Sequence, residues 1–240
     1  VPGAESLALQ YQETALRQGG EDQLLTLKVR YQPPQGDESR EIVRQVLELR
    51  RKGVKEIHLI GQNVNSYKPL EETGLENFIG ATPFSRLLRA VAATGIERIK
   101  FNTSFPRDFH PDIIDAIDEH DNLCNWVHLP VQSGSDRVLR AMRRLHTIDR
   151  YFEKIDKMRS CSKEISITTD IIVGFPGETD AEFAETVAVA RTVGFSKIHI
   201  FPFSPRRGTP AATMPNHVPK HVQQERSREL AAVEAELRDS

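Results

Sequence analysis

A chain of 240 residues, 38% hydrophobic and 28% charged, has the size and composition of one large α/β domain or two small ones, each able to bury a core. No apolar run approaches the ~18 residues of a membrane span, and the polar opening VPGAESLALQYQETALRQGGEDQ lacks the apolar stretch of a secretory signal. A net charge of −2 argues against a self-sufficient nucleic-acid binder but leaves room for a local basic patch.

Residues 1–23 match no recognisable element, and the absence of a starting methionine is what a piece of a longer chain would show. Strands are expected at 24–30, 55–60, 97–101, 125–129, 165–173 and 196–201, where β-branched and aromatic residues cluster. Helices are expected between them. Over 38–52, Ile42, Val43, Val46, Leu47 and Leu49 fall at helical spacing and Gly53 supplies a stop. Thr82 and Pro83 open a helix at 83–94, and Pro111 opens one at 111–120. Others are expected at 135–143, 148–160, 179–193 and 219–237, the third behind a Thr179/Glu182 capping box. The long connection 61–81 is of the kind that is functional or mobile. Strand-then-helix units running in one direction imply a parallel sheet, either doubly wound or barrel-like, over a single domain at 24–237.

Ligands of parallel α/β proteins sit at the carboxyl ends of the strands. Those positions are polar here: Gly61-Gln62-Asn63-Val64-Asn65, then Asn102-Thr103-Ser104, then Gln132-Ser133-Gly134-Ser135, then Asp170 and a Gly174 turn, and finally PFSPRRGTP. Amides and hydroxyls without a carboxylate cluster suit hydrogen bonding to a large polar cofactor better than acid/base hydrolysis. Ile171, Ile172 and Val173 form a β-branched run short enough for a fully buried strand. Gly174 and Gly177 give the turn after it backbone freedom, either for a tight structural turn or for close approach of a ligand. His128, inside an apolar strand, reads as a core or rim histidine, and no metal ligand is expected. Arg137, Arg140, Arg143 and Arg144 read as a solvated helical face with one member turned towards a carboxylate or phosphate. Arg206 and Arg207 are either RNA-facing or solubilising. Cys124 reads as a small core residue and Cys161 as incidental; both suit a reducing cytoplasm.

The segments IGQNVNSY, HLPVQSGSDRVLRAMRR, TTDIIVGFPGETDAEF and FPFSPRRGTPAATM, in that order, closely resemble the radical S-adenosylmethionine methylthiotransferases of the MiaB type, over roughly residues 38–230. The resemblance implies a partial (β/α)6 barrel binding S-adenosylmethionine against a 4Fe-4S cluster. It implies a 5′-deoxyadenosyl radical that removes hydrogen from a tRNA adenosine so that sulfur and a methyl group can be installed. It also implies tRNA as partner, an electron donor of the flavodoxin type and a cytoplasmic location; it leaves the oligomeric state unknown. By the same resemblance Gln62, Asn63 and Asn65 would line the pocket. Ser104, Gln132 and Arg144 would meet the methionine or ribose part, and Asp170 with Gly174 the ribose and adenine. A guanidinium at Arg144 suits a carboxylate.

One element of the family pattern is absent. Its members carry CxxxCxxC just after the first barrel strand, three thiolates for the cluster, where this chain reads LLTLKVRYQPPQGDESREIV. Pieces joined across a missing loop, a lost loop, and a natural relative without a cluster are the three origins; the first would leave a gap near Tyr31 to Gln35 wider than the ~3.8 Å between consecutive Cα atoms. The remaining alternative is a fragment acting only as a nucleoside-binding or structural module.

Overall fold

The structure, a computed structural model, describes residues 26–29, 38–61, 63–69, 72–102 and 104–238. The segment 31–35 lies outside them, as does Gln62. The described residues fall into two compact units, one running up to Trp126 with Ser160–Ile165 added, the other made of Val127–Arg159 and the chain from Ser166 onward.

In the first unit a parallel sheet of β1 (Thr26–Val29), β2 (Glu56–Leu59) and β3 (Arg98–Phe101) keeps the order of the sequence. Helices α1 (Glu38–Arg51), α2 (Pro83–Ala92) and α3 (Pro111–Glu119) follow the strands in turn. Each begins or ends where local chemistry asks. Thr82 and Ser85 form a reciprocal capping box in front of Pro83, and Gly53 turns the chain out of α1 at φ +86°. The core is Ile57, Leu59, Ile99 and Phe101 of the sheet against Leu87, Val91, Ile113 and Ile117, all at most 2% exposed. The connection at 61–81 is pinned at both ends: Val64, Tyr67 and Leu75 are buried, and the Tyr67 hydroxyl lies 2.9 Å from Ser39 Oγ.

The second unit repeats the plan with β4 (Trp126–His128), β5 (Ser166–Val173) and β6 (Lys197–Pro202), again parallel and in sequence order. Sequential order within each sheet is the barrel-type arrangement; a doubly wound sheet would reverse direction. Helices α4 (Asp136–Ala141), α5 (Ile148–Arg159), α6 (Asp180–Val193) and α7 (Lys220–Arg238) complete the unit. β5 is two-faced rather than wholly buried. Ile167, Thr169, Ile171 and Val173 face the helices, whereas Asp170 and Ile172 alternate onto a half-open face, so the β-branched run is split by the period of two. Tyr151 of α5, fully buried, donates its hydroxyl to Leu129 O at 2.8 Å, and burial pushes its phenol far above the ordinary range.

Candidate functional site

The open face of the second sheet carries a cleft of about 600 Å³ lined by Gln132, Arg144, Asp170, Ile172, Phe201 and Arg206 among others. Three of the expected site residues meet there: Gln132, Arg144 and Asp170.

Gln132 lies just beyond β4, 93% buried, with its backbone at φ +72°. A non-glycine residue in the left-handed region is held there by its surroundings, and such strain gathers at ligand sites. What holds it is β5 itself: Gln132 N–H donates to Asp170 O and its carbonyl accepts from Ile172 N–H, both at 2.9 Å. The carboxamide and the Asp170 carboxylate are therefore locked to one ladder.

Arg144 is aimed by the end of α4. Arg143 takes φ +58°, its N–H donates to Arg140 O, and Arg144 N–H reaches back to Leu139 O, which is a Schellman termination with arginine where glycine is usual. That reversal turns Arg144 away from the exposed face shared by Arg137 and Arg140 and into the cleft. Burial depresses the Arg144 guanidinium, and the Asp170 carboxylate opposes this. Among the described residues Arg144 has no hydrogen-bonded acid, so a desolvated cation faces the cleft with its donors available. Arg137, by contrast, is spent on structure. It pairs with Glu182 through two nitrogens and donates to Gly177 O.

Glu182 closes the capping box of α6, accepting from Thr179 N–H at 2.8 Å. Arg137 is the main reason its carboxyl is held down at about 2, against the opposing effect of burial. A depressed folded-state value stabilises above the unfolded value of 4.5 and is lost as pH falls towards 2. The Arg137→Ala variant is expected to lose about 1 kcal/mol at pH 7, since Arg137 is half exposed to screening solvent, and to converge on the wild type near pH 2; urea unfolding at the two pH values measures this.

The turn after β5 serves packing. Gly174 has φ +72°, and a Cβ there would lie 2.4 Å from Gln223 Cγ of α7. Its N–H donates to Glu178 Oε2 at 2.7 Å. Of the two readings of this glycine, a tight turn and a ligand's close approach, the first has a visible cause.

In the first unit, Asn65 is 96% buried and uses both ends of its amide on Phe105, donating to its carbonyl and accepting from its N–H at 2.8 Å. It clasps the connection after β2 to the one after β3, and its side chain is occupied by that task. Asn63 precedes the 3₁₀ turn Val64–Ser66 without capping it. Ser104 Oγ and Asn102 Oδ1 are buried without a hydrogen-bond partner among the described residues, and buried polar atoms left unpaired are costly.

His128, read from the sequence as a core or rim histidine, has acidic and basic company. With Asp170 and His199 it forms a group whose potential ligand atoms all lie within 4.8 Å of one another. A histidine followed by acid and histidine at matching depths of consecutive strands was the available signal. Among the described residues neither cysteine joins such a group; burial pushes the Cys124 thiol up.

With parallel strands presenting polar side chains at their carboxyl ends and an arginine turned into the cleft beside them, the chain belongs to the radical SAM superfamily, whose sequence pattern it matches over residues 25–190. Within that superfamily it is 46% identical over 198 residues to the tRNA-2-methylthio-N(6)-dimethylallyladenosine synthase of Salinispora arenicola, covering 82% of this chain and 38% of that protein. It is 44% identical over 200 residues to the enzyme of the same name from Syntrophotalea carbinolica, covering 83% and 44%. The chain thus spans less than half the length of these relatives. Among solved structures it shares its fold with the coproporphyrinogen III oxidase HemN of Escherichia coli, a radical SAM enzyme, at TM-score 0.58 and 17% identity over 84% of this chain and 46% of that one. The radical S-adenosylmethionine methyltransferase TsrM of Kitasatospora setae gives TM-score 0.56 and 14% identity, covering 73% and 33%.

The residues present fit one of the superfamily's two groups. Arg144, Asp170 and Gln132 offer a cation, an acid and an amide on one cleft, the donor set for an amino-acid carboxylate and a ribose diol. A 4Fe-4S cluster does not fit this chain, whose only thiols are Cys124 and Cys161.

Proposed function

We propose that this chain is the S-adenosylmethionine-binding core of a methylthiotransferase acting on tRNA in the cytoplasm. The observation that carries the reading is Arg144, turned into the cleft that Gln132 and Asp170 share, with no hydrogen-bonded acid among the described residues. Arg144 would take the ligand's carboxylate bidentately, Asp170 would accept from the ribose hydroxyls, and the Gln132 amide would bond beside it. Gly174 would help to shape the adenine side of the cleft. In the first unit, the polar residues proposed for ligand contact are Asn63 and Ser104 with, outside the described residues, Gln62; the amide of Asn65, read with them, is held by the Phe105 backbone. Bound S-adenosylmethionine supplies the adenosyl and methyl groups of the family's chemistry. Its reductive cleavage needs a cluster that the two thiols here cannot hold, so no radical step is assigned to this chain. The names of the relatives support tRNA as the substrate.

The same cysteine count favours a second reading, a nucleoside-binding module without catalysis of its own. Calorimetry with S-adenosylmethionine should give saturable 1:1 binding. Losing one charge-assisted partner is worth about 1.5–3 kcal/mol, so Arg144→Gln and Asp170→Asn should each weaken it roughly 10- to 100-fold. Neither heat nor thermal shift with the wild type would overturn both readings and leave a structural remnant.

A further inference from the structure

Asp170 has company on its face of the sheet. Parallel pairing sets it beside His199 of β6, and His128 of β4 reaches it from the other side, with Nε2 3.4 Å from Asp170 Oδ1. The other ring nitrogen of His128, Nδ1, lies 2.9 Å from Thr168 Oγ1, and Thr168 is 95% buried two residues before Asp170 on the same strand. The His199 ring stands edge-on to that of His128 at 5.8 Å.

A neutral imidazole has one donor and one acceptor, and a carboxylate can only accept. In the neutral ring, a hydrogen on the nitrogen facing Asp170 leaves Nδ1 to accept from the Thr168 hydroxyl. We propose that Thr168 and His128 are positioning residues: the hydroxyl fixes the Nε2–H tautomer, and that N–H holds one oxygen of Asp170 so that the other faces the ribose diol. This rests on the nucleoside reading of the cleft. At 3.4 Å the contact is long for a hydrogen bond, as pocket contacts often are before a ligand tightens them. A divalent metal is the competing use of the three side chains, whose potential ligand atoms lie within 4.8 Å of one another, and the zinc measurement below separates the two.

Two measurements decide it. Long-range proton–nitrogen NMR of the ligand-free chain reads the tautomer: His128 should be protonated at Nε2 in the wild type and mixed in Thr168→Val. Calorimetry with S-adenosylhomocysteine reads the consequence. His128→Asn, which keeps a polar group near Nδ1 but cannot reach Asp170, should weaken binding about 10-fold, and Thr168→Val about 3- to 10-fold. His128→Gln, which retains a donor near Nε2, should stay within about 2-fold, and in an Asp170→Asn background neither His128→Asn nor Thr168→Val should weaken binding further. Wild-type binding in His128→Asn, full effects persisting in that background, or stoichiometric zinc held by the wild type and lost in His128→Asn would each overturn the proposal. If the wild type binds no nucleoside, the reading of the cleft falls; the tautomer measurement still shows whether Thr168 orders His128, and an Nδ1–H form would sink the relay by itself.

Discussion

Gly134→Ala is expected to cost about 3 kcal/mol or more in unfolding free energy, the upper range for overpacking. A Cβ at this position would sit 2.5 Å from Thr186 Cα and 2.6 Å from Glu185 O and Thr186 N, so it meets helix backbone that no rotamer change can move aside. The same approach lets Gly134 N–H donate to Thr186 Oγ1 at 2.9 Å, and displacing α6 would break that bond as well. Gly208→Ala is the control. Gly208 has φ +85° and nothing within 4 Å, so alanine there carries only the left-handed penalty, about 1 kcal/mol. Urea unfolding of both variants reads the difference, and equal losses would mean that α6 gives way around the added Cβ at little cost.

Arg226→Met is the second large effect, at about 3–5 kcal/mol. Arg226 Nη1 lies 2.7 Å from Glu178 Oε2, with side chains only 6% and 1% exposed, and its Nη2 reaches Asp180 at 2.8 Å. Its guanidinium also covers the Phe183 ring at 5.4 Å. Burial already pushes the Glu178 carboxyl up, opposed by the Gly174 N–H and by Arg226. Without the arginine the carboxylate is stranded. An acid whose folded-state value is raised contributes most below its unfolded value and loses this as pH rises; the penalty of Arg226→Met should therefore shrink towards acidic pH, and Glu178→Gln added to it should recover part of the loss at pH 7. An unchanged penalty across pH would show that lost packing, not the buried charge, is responsible.

The elements themselves were legible. All six strands and seven helices fall within about two residues of where periodicity and end signals put them, the usual limit for boundaries, and the Thr179/Glu182 box forms as its spacing requires. What eluded the sequence came from contacts distant along the chain. At Gly174 the left-handed turn was legible, but the crowding by Gln223, 49 positions later, is not revealed by any local pattern. The clasp of Asn65 on Phe105 was not legible because its partner is backbone, which carries no sequence signature. In the arginine run the sequence allowed for one member turned aside from a solvated face, but not for the cause. Helical spacing holds through Ala141, and the left-handed step at Arg143 then brings Arg144 to the cleft. Gln132 and Asp170, by contrast, were expected together because polar groups gather at strand ends in parallel sheets, and the structure brings them to one cleft.

The left-handed backbone at Gln132 has one more implication. Because its amide and carbonyl bracket β5 at Asp170 and Ile172, the groove cannot widen there by a side-chain swing alone. Loosening it means unzipping two rungs between neighbouring strands, so tightness of grip and cohesion of the sheet are one property, and selection for either would preserve both.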